Sequence, residues 1–497
     1  MKLTRVQVNG LRFSSDRMVS LMHNTCKIIV GIATIFISLA GAWNAYSQST
    51  ALPEPAYLTP MPPTLAPSGG DRLDDLAVEI ASLRSELAKK TDKPSGKGWS
   101  SPKLGGRFFM DYVSAMNQDR DGWDAASGLN VNAQNWLGVR EARLCMTGTG
   151  YDFLDYKFEI GFEKNQDYNG TYKDVFLGIQ NVPFLEYVRV GHQYVEEGGS
   201  EVCNGTSYYT FMEIPAPVGQ QFMGRRLGVT SRNLFADDRV RLFFGVYGAN
   251  NIGDCHYYRD DNQGIVLNSR LTLAPVYCWD GRRLFLFGGY YSFVDSSQSR
   301  TLLFSKPGGW DLYRYTGNPG NLGSFFSDRY QKAGLEVVCQ AGRFCFQTDL
   351  FLQHYADVNN GAGAGIGNQT NYGGFAMARL FLTRNDYRKY SLKSASWEGV
   401  DVAHPFRLEQ HGDANVMTGC GAWEAAAMYG FYESFASPTD ADNRMTNHQI
   451  GAALNWYWNS GVKWCVNYFH DLTDARYARN HYHPSGDYLG MSCRVTF

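Results

Sequence analysis

The sequence predicts an all-β fold: a transmembrane antiparallel β-barrel of sixteen strands, preceded by a short coiled-coil helix. Three observations predict it. Aromatic residues make up 14% of the 497, with 53 glycines, 31 tyrosines and 30 phenylalanines, a mixture suited to strands and turns. Apolar residues recur at every second position from about Leu104 onward, while the mean hydropathy is only −0.33. A barrel reconciles the two, since only its outward positions must be apolar. The chain also ends on Phe497, with Leu489, Met491, Cys493 and Val495 on the same face and Gly490, Ser492, Arg494 and Thr496 on the other.

The elements follow in order. Residues 1–47 read as a signal peptide. Basic residues reach Lys27, Ile28–Trp43 is an uncharged, mostly apolar run, and Ala45-Tyr46-Ser47 offers small residues before a cut at Gln48. The basic stretch is long enough that Met18 or Met22 is an alternative start. Residues 48–70, with six prolines, read as an extended linker. In 71–90, Leu73, Leu76, Ile80, Leu83 and Leu87 form an a/d seam, with acids leading and lysines trailing as a helix dipole prefers. Two heptads need an oligomer to hold them; the alternative reading is a single amphipathic helix lying on the barrel. After a second linker, 91–103, the barrel is expected over 104–497, room for sixteen strands of about 9–11 residues with turns and several long loops. A barrel of that width is expected to hold water.

Within it, Leu154, Tyr156, Phe158 and Ile160 alternate with Asp155, Lys157, Glu159 and Gly161. Val240, Leu242, Phe244 and Val246 alternate with Arg239, Arg241, Phe243 and Gly245, and Val462, Trp464, Val466 and Tyr468 with Lys463, Cys465, Asn467 and Phe469. One face is greasy, the other polar or small. A soluble sandwich alternates too, but full charges on the second face suit a wet lumen.

Charge and cysteine usage narrow the function classes. Without residues 1–47 the chain keeps 41 basic and 47 acidic residues, so nothing marks a nucleic-acid partner. Ten cysteines show no C-x-x-C; most read as small wall residues, while Cys203 and Cys255 fall in loop-like stretches where they could pair. Neither G-x-S-x-G nor H-E-x-x-H occurs, and His481 with His483 reads as a solvated loop; neither metal nor cofactor is expected. Competing readings are a barrel enzyme, a structural protein tethered to the cell wall through the N-terminal segment, and a soluble secreted β protein.

An ordered set of segments resembles the phosphate-selective porin O/P family from about residue 104 to the end. They are Val139-Arg140-Glu141-Ala142-Arg143-Leu144, Asp155-Tyr156-Lys157-Phe158, Val188-Arg189-Val190-Gly191-His192, Thr210-Phe211-Met212-Glu213 and Gly224-Arg225-Arg226-Leu227-Gly228-Val229. Phe381-Leu382-Thr383, Gly421-Ala422-Trp423-Glu424, Leu454-Asn455-Trp456-Tyr457, Asn467-Tyr468-Phe469-His470 and the terminal Phe497 continue it. The resemblance implies an outer-membrane porin: a sixteen-stranded trimeric barrel through which small solutes diffuse passively. It implies a terminal strand recognised by the barrel assembly machinery, lipid around the wall, and lumen Arg and Lys that pass anions. A trimer would also give the heptads a partner. It further implies a constriction loop over roughly 196–217, with Phe211, Met212 and Glu213 at its narrow part.

By parity Lys157, Arg239, Arg241, Arg270 and Lys463 face the lumen, and Arg107 and Arg189 are expected there too. Arg140 matches the family's paired arginine, though its parity is ambiguous, and Arg225 and Arg226 adjoin the loop. Two departures matter. Glu141 stands where the family often has a second arginine, and Glu159, Glu163 and Asp349 are expected to share the lumen. The porin fold therefore carries over more firmly than selectivity for phosphate; polyphosphate, sulphate, organic anions or unselective diffusion are equal expectations.

Overall fold

The computed structural model describes residues 98–119, 135–162, 171–219, 221–249, 264–295, 301–302, 326–327, 329–359, 365–411, 414–434, 444–477, 480–482 and 485–497. The expected signal peptide, linkers and coiled-coil helix, apart from residues 98–103, lie outside them, as do Cys255 and Glu163.

Sixteen strands form the wall: β1 Lys103–Asp119, β2 Trp136–Gly150, β3 Leu154–Gly161, β4 Thr171–Val182, β5 Leu185–Tyr194, β6 Arg225–Phe235, β7 Val240–Gly248 and β8 Ile265–Cys278. The second half comprises β9 Arg283–Asp295, β10 Arg329–Ala341, β11 Phe344–Asn359, β12 Gly365–Phe381, β13 Ala422–Ser434, β14 Arg444–Tyr457, β15 Val462–Tyr477 and β16 Ser485–Thr496. Each pairs antiparallel with the next, and β16 returns to β1 in a register running from Arg107 opposite Thr496 to Asp119 opposite Ser485. Closure leaves no wall edge unpaired, the condition a sheet must meet to cross lipid.

The expected alternation holds. On β7, Leu242 and Phe244 are 43% and 47% exposed on the outside, whereas Arg241 and Phe243 are 3% and 6% exposed inside. On β15, Trp464, Val466 and Tyr468 face out and Lys463, Cys465, Asn467 and Phe469 face in. Gly191 on β5 marks a close approach: at φ +141°, an added Cβ would lie 2.2 Å from the Val175 carbonyl oxygen on β4.

Two segments enter the lumen. The loop 195–224 joins β5 to β6; it carries a 3-10 turn at Thr206–Tyr208 and a helical turn at Ala216–Gly219. From the other end comes the connection 382–421 between β12 and β13. Its first part is a hairpin, Tyr387–Ser391 paired with Ser396–Asp401. Both bury large side chains, Phe211 and Met212 from the loop and Tyr390 and Trp397 from the hairpin. Apolar packing therefore occupies one side of the lumen. Loop residues Val195, Val202, Phe211, Met212 and Val218 join inward-facing Tyr290, Val294, Phe351 and Met428 in one core. Hairpin residues Tyr390, Leu392 and Trp397 join Leu284, Leu286 and Val338 in another.

Candidate functional site in the lumen

The charged side of the lumen is built by β1–β6. Arg107 on β1 stands directly opposite Arg143 on β2, a repulsive cross-strand pair unless an acid intervenes. Two do. Arg107 Nε lies 2.7 Å from Glu141 and Nη2 3.1 Å from Glu159, and Arg143 reaches Glu141 at 3.0 Å and Glu159 at 3.4 Å. The chain of alternating charge continues upward: Lys157 Nζ lies 2.6 Å from Glu159 and 2.7 Å from Asp174, and Arg225 Nε 2.6 Å from Asp174. Beside it is a cavity of about 340 Å³ lined by Arg107, Arg143, Lys157 and Arg225, by Glu159 and Asp174, and by Tyr194 and Tyr208.

Arg140 escapes strand parity through a bulge. The β1–β2 register shifts between Phe109 and Met110, so Arg140 and Glu141, neighbours in sequence, are both buried on the inside. Arg140 donates to the Met212 carbonyl at 2.6 Å and lies 2.5 Å from Glu213 and 3.4 Å from Asp111.

It is one of several lumen cations whose donors are taken up by the loop backbone. Lys463 donates to the Tyr209 and Thr210 carbonyls at 2.8 and 3.1 Å, and Arg494 to those of Thr206 and Met212, both at 2.8 Å. Asn455 donates to the Thr210 carbonyl at 2.9 Å, and Asn467 accepts from the Met212 N–H at 2.6 Å. Phe211 packs 5.8 Å from the Phe469 ring. A loop taken out of water needs its carbonyls satisfied, and these side chains do it.

Arg241 and Arg270 join the loop to the hairpin. Arg241 makes a bidentate pair with Glu196 at 2.6 and 2.8 Å and donates to the Lys393 carbonyl at 2.9 Å. Arg270 lies 2.7 Å from Glu336 and 3.3 Å from Glu196 and donates to the Ala395 carbonyl. Ser200 meets the Tyr390 hydroxyl at 2.7 Å, and Arg388 donates to the Tyr208 carbonyl and pairs with Glu424.

A family model described as phosphate-selective porin O and P matches residues 111–497. The chain belongs to that family. It is thus an outer-membrane β-barrel porin, a channel by fold and family. No curated protein sequence matches it. Similar solved structures include in-vitro folded OmpT of Vibrio cholerae in its trimer form, at 9% identity, a TM-score of 0.47 and coverage of 81% of this chain and 100% of that one. The outer membrane channel DcaP of Acinetobacter baumannii has 9% identity, a TM-score of 0.47 and coverage of 80% and 98%. An anion-selective porin from Comamonas acidovorans has 10% identity, a TM-score of 0.43 and coverage of 80% and 99%.

The remaining expected residues of the porin separate clearly. Arg189 faces inward and makes no ion pair among the described residues; its guanidinium lies 3.9 Å from the Phe176 ring centroid, and Nε donates to the Tyr187 hydroxyl. Arg226 donates to the Met223 and Arg225 carbonyls at the end of the loop. Arg239 is a correction: it stands in the turn before β7, donating to the Pro275 and Tyr277 carbonyls, because β7 begins only at Val240. Parity extended one residue beyond the strand therefore misplaced it. Arg143, Arg379, Arg388 and Arg494 were missed. Arg143, Arg379 and Arg494 lie on wall strands, so parity could have found them; Arg388 belongs to the hairpin, which no local pattern announced. Phe497 is exposed and closes the sheet through backbone bonds to Gly106 at 2.9 and 3.0 Å.

Proposed function

We propose that this porin passes small anions, phosphate among them, along the β1–β6 side of the lumen, as one channel of a homotrimer. One observation carries the reading: four cations against two carboxylates line the cavity beside the constriction loop. A solute anion arriving there can exchange one carboxylate contact after another, from Arg225 to Lys157 to Arg107 and Arg143. The Arg forks match phosphate oxygens and Lys supplies a point charge. Since each cation already has a carboxylate neighbour, binding is weak and repeated, as conduction requires. Selectivity for anions is consequently modest.

The test is the reversal potential of the reconstituted protein in planar bilayers under a potassium chloride gradient, followed by addition of phosphate. The expected result is a modest anion preference with chloride current reduced by phosphate. Cation preference, or chloride current indifferent to phosphate, would overturn the reading. Cross-linking in detergent is expected to give a three-subunit species.

A further inference from the structure

The connection 382–421 contains a second hairpin, Arg407–His411 paired with Ala414–Thr418, that forms a two-stranded sheet separate from the wall. Two strands alone are marginal in water, so its surroundings matter. It is rooted on the outside of the barrel. Phe406 packs 5.5 Å from Trp456 and 5.0 Å from Trp458, and its N–H donates to the Trp458 carbonyl at 2.8 Å. Trp456 Nε1 donates to the Cys420 carbonyl at 2.9 Å. Both ends of the hairpin are thus fastened to one aromatic patch.

That patch faces lipid. Trp423, Trp456 and Trp464 are cross-strand neighbours on β13, β14 and β15, Trp423 stacks on Trp456 at 5.2 Å, and Leu454 and Val466 continue the outward face. A Trp row at the end of the apolar wall is how barrels mark the membrane interface. The rim here carries the short turns, which mark the periplasmic rim of an outer-membrane barrel. Directly beside it the hairpin shows Leu408, Val416 and Met417 at 65%, 42% and 68% exposure, Leu408 opposite Met417 in the pairing, with the exposed Arg407 at its base.

We propose that the hairpin Arg407–Thr418 is a lipid anchor lying in the periplasmic leaflet of the outer membrane. Leu408 and Met417 enter the acyl boundary, and Arg407 reaches the phosphate of a phospholipid headgroup. Apolar side chains that stand in water here would be covered there, continuous with the lipid-facing Trp row. The anchor also fixes the exit of the lumen hairpin, since both belong to one connection.

Photocrosslinking of the full chain in phosphatidylethanolamine–phosphatidylglycerol vesicles tests this. Two variants, Leu408→benzoylphenylalanine and Met417→benzoylphenylalanine, are irradiated beside the same replacement at Leu454 on the wall and at Asp237 in a short turn. Mass spectrometry of the heat-modifiable, folded band is expected to show phospholipid adducts at 408 and 417 with a yield near that at Leu454 and severalfold above that at Asp237. Adducts at the Asp237 level at both positions, or cross-links to a second copy of the chain in their place, would overturn the proposal.

Discussion

The two sides of the lumen solve the same problem in opposite ways. Along β1–β6 the inward side chains include Arg107, Arg143, Lys157, Glu141, Glu159 and Asp174, which neutralise one another in a chain and leave a cavity beside them. Along β8–β15 they include Leu284, Leu286, Tyr290, Val338, Phe351 and Met428, which are covered by the loop and the hairpin. Strand length does not simply follow that division: β3–β7 have 8–12 residues and β8–β15 have 13–17, but β1 and β2, which carry Arg107, Glu141 and Arg143, have 17 and 15. The strands β8–β15 give the inserted segments an apolar surface to bind, and β1–β4 carry the chain of paired charges. A barrel can thus be wide in its backbone and narrow in its passage.

Deleting the lumen hairpin would break the comparison most directly. Replacing residues 386–402 by a short Gly-Ser turn is expected to raise single-channel conductance severalfold and to weaken selectivity, because the second side of the lumen then opens. Conductance unchanged in a folded variant would mean that the hairpin does not restrict the passage.

A smaller effect is expected at the joint between hairpin and wall. Arg388 Nη2 lies 3.1 Å from Glu424 and 2.6 Å from the Tyr457 hydroxyl, all buried. Arg388→Ala strands the carboxylate, which costs about 3–5 kcal/mol for a buried pair broken on one side. The temperature at which the folded band disappears from a gel should fall accordingly, and Arg388→Lys should recover part of it.

On the charged side, Asp174→Asn removes one carboxylate and leaves Lys157 and Arg225 less neutralised. Anion preference should rise, and Lys157→Gln should lower it, both read as opposite shifts of the reversal potential.

The smallest expected effect is at Glu197 of the loop. Burial raises its pKa above the ordinary 4.5, despite an N–H donated by Met223 and a hydroxyl by Tyr330. Its ionised form is therefore less favourable in the fold, so its contribution to stability falls as the pH rises from 4.5 toward the raised value. Glu197→Gln should flatten that fall and be neutral or mildly stabilising at pH 7, seen by comparing denaturation at the two pH values.

Much of the wall was legible because lipid imposes one rule on every strand. Leu242, Phe244, Trp464 and Val466 had to face out, and parity then sent Arg241, Lys157 and Lys463 in. What parity does not supply is the partner. Lys463 reads as a lumen charge, yet its ammonium is bound by the Tyr209 and Thr210 carbonyls, 254 and 253 residues away. Strands such as β9 carry apolar residues on both faces, Phe285 and Phe287 outward and Leu284 and Leu286 inward. That second apolar face was the trace of the inserted hairpin. The bulge at Arg140 and the turn at Arg239 show the limits of a strict period of two, which fails by one residue wherever a strand slips or ends.

In the proposed reading, solute passes on the β1–β6 side and not through the packed side. The most direct measurement is the reversal potential of Lys157→Glu beside that of Lys332→Met, whose buried ammonium on β10 lies 3.6 Å from the Phe222 ring centroid of the loop. A strong shift toward cations in Lys157→Glu, with Lys332→Met near the parent value, is the expected result. A shift confined to Lys332→Met would place the passage on the other side.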